Sequence, residues 1–280
     1  MTNRPCVSVI MSSYNPSSPD KLQDAIKSIQ TQTLTDWELI LWDDGSNDWG
    51  KQLLEQVAQL DQRIHLFRDE ENHGLAYGLN QCLLHSSGTF IARMDDDDIS
   101  EPERLEYQVH FLQTHPEADW VGTQAWLFDD GGIWGEHHAE PMPEARDYLR
   151  FSPFVHPSVM FRRESLVNAG GYLASSLTQR CEDYELFLRM TSLGMRGYNI
   201  PEKLFRYRED RTKMSKRTFL SCFREMIVRA RGFHSIGIPI SVSLLPTIKP
   251  MFVWVVSRMP QLAQRLRGKY SKGIDFLGDK

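Results

Sequence analysis

Apolar and polar positions alternate between two periods along the first half of the chain. Val7-Ser8-Val9-Ile10-Met11 is rich in β-branched residues and predicts a buried strand. It stops at Ser12-Ser13-Tyr14-Asn15-Pro16, where Asn-Pro marks a loop. Leu22, Ile26 and Ile29 then recur at helical spacing, with Asp20 and Gln23 fitting a helix start. The exchange repeats. Trp37 to Trp42 predicts a strand that ends at Asp43-Asp44-Gly45-Ser46-Asn47-Asp48, and Leu53, Leu54, Val57 and Leu60 predict a helix capped by Asp48. Ile64 to Phe67 predicts a short strand, Asn72-His73-Gly74 a turn, and Leu75, Leu79, Cys82 and Leu83 a helix. Phe90 to Met94 predicts a strand that runs into Asp95-Asp96-Asp97-Asp98, after which Ser100 and Glu103 stand at capping-box spacing around Pro102. Trp120 to Phe128 predicts one more strand. Such alternation argues an α/β fold with a doubly wound, mostly parallel, Rossmann-like sheet that binds ligands at the carboxyl ends of its strands.

The pattern then loosens. Asp129 to Phe154 reads as a loop-rich excursion of the kind that forms a lid, and Phe154 to Phe161 as a strand interrupted by Pro157. Ala169-Gly170-Gly171-Tyr172 ends a short helix. Glu182-Asp183 opens the helix Tyr184 to Ser192, where the helix dipole favours an ionised carboxylate. From Ser215 the character changes again, so the chain divides into residues 1–214 and a helical C-terminal appendage, 215–280. Phe219, Phe223, Met226, Ile227 and Ala230 fall at helical spacing. Ile236 to Met259 is apolar apart from Lys249 and Arg258 and is nominally long enough to span a bilayer. Pro239, Pro246 and Pro250 interrupt it, which predicts paired short amphipathic helices in a membrane interface. The basic tail Arg265, Arg267, Lys269 and Lys272 suits an anionic cytoplasmic leaflet. A helical unit packed on the sheet or on a second protomer is the other account.

Composition narrows the classes. The 280 residues carry a formal net charge of -5, which argues against a nucleic-acid binder. Cys6, Cys82, Cys181 and Cys222 are scattered without a CxxC pair, so neither a zinc site nor a disulfide framework is expected. The start, Met1-Thr2-Asn3-Arg4-Pro5, is too short and polar for a signal peptide, and the expectation is a cytoplasmic protein, peripheral on the inner face of the membrane. Four consecutive aspartates repel one another unless water or a hard cation offsets them, so the run is either a solvated turn or a metal-diphosphate site. A calcium loop of the EF-hand type does not fit, because no frame has Gly at the sixth and Glu at the twelfth position.

These pieces carry a resemblance. Val7 to Asn15, Gln32-Thr33, Trp42 to Asp48, Asn72 to Leu75, Ile91 to Ile99, Pro102 to Leu105, His156 to Arg162 and Glu182 to Leu186 resemble, in family order, the family 2 glycosyltransferases, inverting enzymes of the GT-A fold in bacterial exopolysaccharide and lipopolysaccharide synthesis. The resemblance implies transfer of a sugar from a nucleotide-diphosphate sugar, UDP by default, to an acceptor hydroxyl on a glycan or lipid-linked glycan. It implies Ser12 and Tyr14 at the nucleobase, Asp44 bonded to the base with Asp43 beside it or only supporting the turn, and Asp96 toward the ribose. Asp95 and Asp97 would be the D-x-D pair that holds manganese or magnesium, although Asp96 and Asp98 also make that spacing. Asp183 matches the catalytic base, with Glu182 beside it and His156 on the acceptor side or in a structural turn. Tyr14 packed under its loop, and Arg93 and Arg104 paired with the aspartates, are the plainer alternatives. His137-His138 lacks a third ligand nearby. Family members often place a His two residues after Tyr-Arg, then a Ser; here Tyr207-Arg208 is followed by Glu209-Asp210, and Ser215 comes later. A sugar nucleotidyltransferase would need a Gly-rich loop after the first strand, which is absent. A noncatalytic glycan- or nucleotide-binding protein is the other class.

Overall fold

The period-two pattern of the first strand sorts the core into two layers. Val7, Val9 and Met11 of β1 (Val7–Ser13) pack in one cluster with the apolar faces of α1 (Pro19–Gln30), α2 (Asp48–Ala58) and α4 (Arg104–Thr114). Ile10 points the other way, into a second cluster with α3 (Leu75–His85), α5 (Arg163–Asn168), α6 (Glu182–Ser192) and α7 (Phe219–Ser235). A sheet covered on both faces needs near-continuous apolar strands, which is why these strands carry few polar positions.

The computed structural model describes residues 4–211 and 218–258. Besides β1, the strands are β2 (Trp37–Asp44), β3 (Ile64–Asp69), β4 (Phe90–Arg93), β5 (Ile99–Ser100), β6 (Trp120–Asp129), β7 (Gly132–His137), β8 (Met160–Arg162) and β9 (Gly197–Arg208). They form one sheet in the order β3-β2-β1-β4-β8-β6-β9-β5, with β7 on β6. The β3-β2-β1-β4 part is parallel. Beyond it β8 is antiparallel to both β4 and β6, and β6 is parallel to β9. The chain winds outward from β1 to β3 and then returns to place β4 on the other side of β1. The direction of winding thus reverses between β1 and β4, and the carboxyl ends of strands at such a switch point are where open α/β sheets bind ligands.

Several local expectations give way to tertiary partners. Ser18, followed by Pro19, precedes α1, and Asn47 caps α2 by accepting from the Gly50 amide at 2.9 Å, in place of Asp20 and Asp48. The Ser100–Glu103 capping box does not form. Ser100 lies in β5, paired with Phe205 of β9, and its hydroxyl accepts from the Arg104 guanidinium at 2.8 Å. The strand β9 itself was not expected. The excursion after Asp129 is not an open lid: it holds β7 as a hairpin on β6 and a 3-10 turn, Ala145–Leu149, that buries Tyr148. Phe154 to Phe161 is a 3-10 turn, His156–Ser158, followed by the short β8.

The largest correction concerns the prolines. Pro246 and Pro250 lie inside one continuous helix, α8 (Ile240–Ser257). Pro250 has no N–H for the Pro246 carbonyl, the bond a regular helix would make. Arg229 of α7 reaches that carbonyl at 3.4 Å instead. The neighbouring helix thus supplies a donor that the local sequence lacks. Val228 and Phe233 of α7 join the core around Tyr184 and Phe187 of α6, and Gly232 lets α7 approach closely: a Cβ there would lie 2.4 Å from Leu188. Among the described residues no helix is long and apolar enough to cross a membrane. Ser215 and the basic residues from Arg265 to Lys272 lie outside the described residues.

Candidate active site

The ends of β1 and β2 carry the first group of candidate residues. Ser12 is half-buried, and the buried Ser13 at the end of β1 donates to the Asp96 carboxylate just beyond β4. Tyr14 leaves the strand 52% exposed and is not packed under its loop. Asn15, at φ 49, ties this loop to the next: its amide donates to the Ser46 hydroxyl at 2.9 Å, and its side chain accepts from the Asn47 amide at 2.9 Å. Gly45 is required at that turn, because φ is 77 and a Cβ would sit 2.6 Å from the backbone of Glu71. Asp43 is buried, accepts from the Ser46 amide at 2.8 Å and pairs with Arg68, so it holds the turn. Asp44 is also buried and accepts the amides of His73 at 3.2 Å and Gly74 at 2.7 Å.

The four aspartates after β4 divide by environment. Asp95 pairs with Arg93 at 2.5 Å. Burial works against the Arg93 charge, but Asp95 holds that guanidinium's pKa above its usual value. Asp96 is pushed up to about 7, by burial first and by Asp95 and Asp97 after it, against the Ser13 hydrogen bond. Asp97 is raised by burial and then by Asp95, while Arg208 and Lys21 oppose the shift. Asp98 is closed off: it is 1% exposed, accepts the Arg208 amide at 2.7 Å, and leaves its other oxygen without a partner among the described residues. Burial and its two acidic neighbours raise it well above the carboxylate range. Asp95, Asp96 and Asp97 keep accessible surface. Among the described residues no three His, Cys, Asp or Glu side chains converge as a full cation cage. The described residues of this turn therefore offer an incomplete set of hard oxygen donors.

Asp183 stands in the first turn of α6, whose position is anchored by Tyr184 donating to the Tyr148 carbonyl and by Phe187 stacking on Trp120 at 5.8 Å. Burial pushes Asp183 up to about 6, opposed by the Tyr184 amide and by Arg93. It borders a cavity of 180 Å³ that α7 and α8 help to wall. Glu182 borders a second cavity, of 390 Å³, together with His73 and Gly74, the residues whose amides hold Asp44. Arg93 lies within electrostatic reach of Asp96, Asp97, Asp98 and Asp183, and Tyr207 feels Asp95, Asp98 and Asp183. Asp95 and Asp98 after β4 and Asp183 of α6 thus act on one group, Tyr207, while Asp44 of β2 is linked to α6 through the cavity wall that His73 and Gly74 share with Glu182. His156 is buried, with Nε2 2.8 Å from the Tyr172 hydroxyl, and burial and then Arg93 hold its pKa well below the usual value.

Two cations escaped the sequence reading. Arg208, at the end of β9, donates to the Asp97 carbonyl at 2.8 Å and pairs with Asp130 at 2.8 Å, and Lys21 of α1 reaches Asp130 at 3.3 Å. In the sequence, the Tyr207-Arg208 pair is the signal for the first of them. Arg104 does not pair with the aspartates. It is fully buried and donates to the Arg93 carbonyl at 2.7 Å, to Ser100 and to Gln108. His138 pairs with Glu136 at 3.4 Å.

Comparison with known proteins agrees with this architecture. EpsE of Bacillus subtilis strain 168 is 38% identical over 242 residues, covering 86% of this chain and 86% of its own. The amylovoran biosynthesis glycosyltransferase AmsE of Erwinia amylovora is 32% identical over 224 residues, covering 75% of this chain and 79% of its own. Among solved structures, the mannosyltransferase PcManGT of Pyrobaculum calidifontis, in complex with GDP-Man and Mn2+, superposes with TM-score 0.66 at 18% identity over 98% of this chain and 77% of its own. TarS 1–349 of S. aureus in complex with UDP-GlcNAc superposes with TM-score 0.64 at 17% identity over 90% of this chain and 72% of its own. These likenesses show the shared GT-A fold. Residues 8–169 match the model of glycosyl transferase family 2, and the chain belongs to that family.

Proposed function

We propose that the chain is an inverting glycosyltransferase that moves a sugar from a nucleotide-diphosphate sugar, UDP by default, to an acceptor hydroxyl on a lipid-linked glycan. The observation that carries this reading is Asp183: a carboxylate at a cavity wall, raised to about 6, and near enough to Asp95 that both act on Tyr172 and Tyr207. A base with that pKa is ionised at neutral pH and still basic enough to take a proton. Asp183 takes the proton of the acceptor hydroxyl. The hydroxyl oxygen attacks the anomeric carbon from the face opposite the nucleotide, the bond to the diphosphate breaks, and the centre inverts. Tyr14 offers an aromatic face to the base, and Ser12 lines the same pocket. Asp44 orders the His73–Gly74 loop and meets the base from its remaining lone pairs, with Asp43 holding the turn. Asp96 lies toward the ribose. Glu182 lies on the acceptor side, and His156 acts there by positioning Tyr172.

The donor set suits a divalent cation. Raised carboxylates crowded together, with an unpartnered oxygen on Asp98, are what a hard cation would relieve. Asp97 and Asp95 would hold manganese or magnesium, which when bound neutralises the leaving diphosphate. The exposed stripe Leu245, Ile248, Phe252 and Val255 on α8 supports seating of residues 215–280 in an anionic membrane interface, where a lipid-linked acceptor is met.

A panel of UDP- and GDP-sugars, each with and without manganese, tests the reading by thermal shift and nucleotide release. A manganese-dependent rise in Tm with one nucleotide class is expected. No shift with any nucleotide sugar would refute donor binding, and nucleotide pyrophosphorolysis in place of sugar transfer would favour a nucleotidyltransferase.

A further inference from the structure

The larger of the two cavities is walled on one side by the turn that Asp44 holds and on the other by the first turn of α6, where Asp183 stands. At 390 Å³ it falls within the roughly 300–1,000 Å³ of small-molecule sites. One carboxylate outside it fixes its aromatic wall. Asp69 of β3 accepts from the Tyr77 hydroxyl at 3.2 Å and pairs with His73 at 3.5 Å, and the two rings lie 4.5 Å apart. Leu75 and Ala76 add apolar surface. Ser175, Ser176, Gln179 and Glu182 supply hydroxyl, amide and carboxylate groups. Gln179 is oriented: its carbonyl oxygen accepts from Arg224 at 2.8 Å, which leaves its amide nitrogen as the donor. Glu182 is half-buried, and among the described residues no cation or hydrogen-bond donor pairs with its carboxylate.

An aromatic wall beside hydrogen-bonding groups suits a sugar ring, which shows C–H surface on its faces and hydroxyls at its edge. Hydroxyls donate to a carboxylate in charge-assisted bonds. A carboxylate left unpaired in a filled cavity is costly, so Glu182 favours a ring whose hydroxyls reach it. A carboxylate on the ring reverses the sign. His73, the one basic side chain of the wall, is already paired with Asp69, and no other lining residue offsets a second negative charge. A uronate beside Glu182 would place two carboxylates in one site, where they oppose each other's ionisation.

We infer that this cavity is a subsite for a neutral, hydroxyl-bearing sugar ring, and that Glu182 makes it reject a uronic acid. The inference rests on the proposed reading of the chain as a transferase that uses a nucleotide-diphosphate sugar. The transferred sugar of the donor and the terminal sugar of the acceptor share this chemistry.

The test titrates the full chain by calorimetry, with manganese present, in two arms. The donor arm compares UDP with UDP-glucose, UDP-galactose and UDP-N-acetylglucosamine, and with UDP-glucuronate and UDP-galacturonate. The acceptor arm holds UDP saturating and compares the p-nitrophenyl glycosides of the same sugars. The expected result is that the best neutral sugar binds roughly tenfold or more tightly than either uronate, and that Glu182→Gln narrows this ratio to about threefold or less with UDP affinity unchanged. Discrimination in the donor arm identifies the transferred sugar; discrimination in the acceptor arm identifies the acceptor's terminal sugar. If Glu182→Gln does not fold, Ser176→Trp, at an exposed position of the wall, is read in its place. By filling the cavity it should weaken the neutral sugar roughly tenfold and leave the affinity for UDP unchanged. A uronate bound as tightly as the neutral sugars, a ratio unchanged in Glu182→Gln, a neutral sugar unaffected by Ser176→Trp, or no neutral sugar adding to binding in either arm would overturn the inference. Absence of UDP binding overturns the donor reading instead, and the glycosides are then titrated without nucleotide and judged by the same ratio.

Discussion

Replacing Asp183 with Asn separates the cost of the proposed base from its use. The folded protein holds this carboxyl at about 6 against an ordinary 3.8. At roughly 1.36 kcal/mol per pKa unit, that rise corresponds to about 3 kcal/mol of stability lost when the group is ionised. The sign follows from proton binding. Between the two values the folded state binds more protons than the unfolded state, so stability falls as pH rises. The penalty is absent below the ordinary carboxylate range and complete above about pH 6. Asn keeps the shape and carries no charge, so Asp183→Asn should be more stable than the wild type at neutral pH by up to about 3 kcal/mol, or roughly 5 °C in Tm. The advantage should vanish near pH 4. Sugar transfer should fall by about 10²–10⁴ if the carboxylate is the base, and the wild-type kcat/KM profile should show an acid limb near pH 6, where the raised carboxyl titrates. Differential scanning fluorimetry across pH, beside nucleotide-release kinetics, reads both effects. A Tm difference that does not depend on pH, or an Asn variant less stable than the wild type at pH 7.5, would refute the burial argument. Retained turnover would refute the role.

Other outcomes follow from single contacts. Asp97→Ala should lower manganese-dependent affinity for the nucleotide at least tenfold, about 1.4 kcal/mol, with nucleotide affinity in EDTA unchanged; calorimetry with and without the metal reads it. Gly78→Ala places a Cβ 2.1 Å from the Ser12 hydroxyl and 2.9 Å from the Trp42 ring, where α3 crosses β1 and β2. That overpacking should cost about 1–3 kcal/mol, seen as a lower urea midpoint. Leu245→Glu with Phe252→Glu should abolish cosedimentation with anionic vesicles while leaving Tm within a degree or so, since both side chains are exposed.

What could be read along the chain was local. The runs Val7–Met11, Trp37–Trp42 and Phe90–Met94, separated by helical spacings, follow from packing periods that each segment carries by itself, and the structure has those strands parallel and in neighbouring positions. The acidic turn after β4 and the carboxylates at the start of α6 were likewise visible as residues. Helix starts were less legible, because a cap is chosen by geometry among adjacent candidates: Asn47 won over Asp48.

Other features depend on partners far away in sequence. Ser100 looked like a helix cap and is a strand residue, because Phe205 pairs with it and Arg104 takes its hydroxyl. Pro246 and Pro250 have the local character of breaks, yet the helix runs through both, and Arg229 of α7 donates to the Pro246 carbonyl that Pro250 cannot serve. Asp95 and Asp98 have the same side chain three positions apart, yet one keeps an accessible surface beside Arg93 and the other is sealed under the Arg208 amide. The sequence by itself determined which segments are strands and helices in the parallel half and which acids end them, since periodicity and turn chemistry act over a few residues. The tertiary structure alone decided which of those acids meet, which are buried enough to shift their pKa, and which cations face them, since burial and charge pairing are properties of neighbours in space.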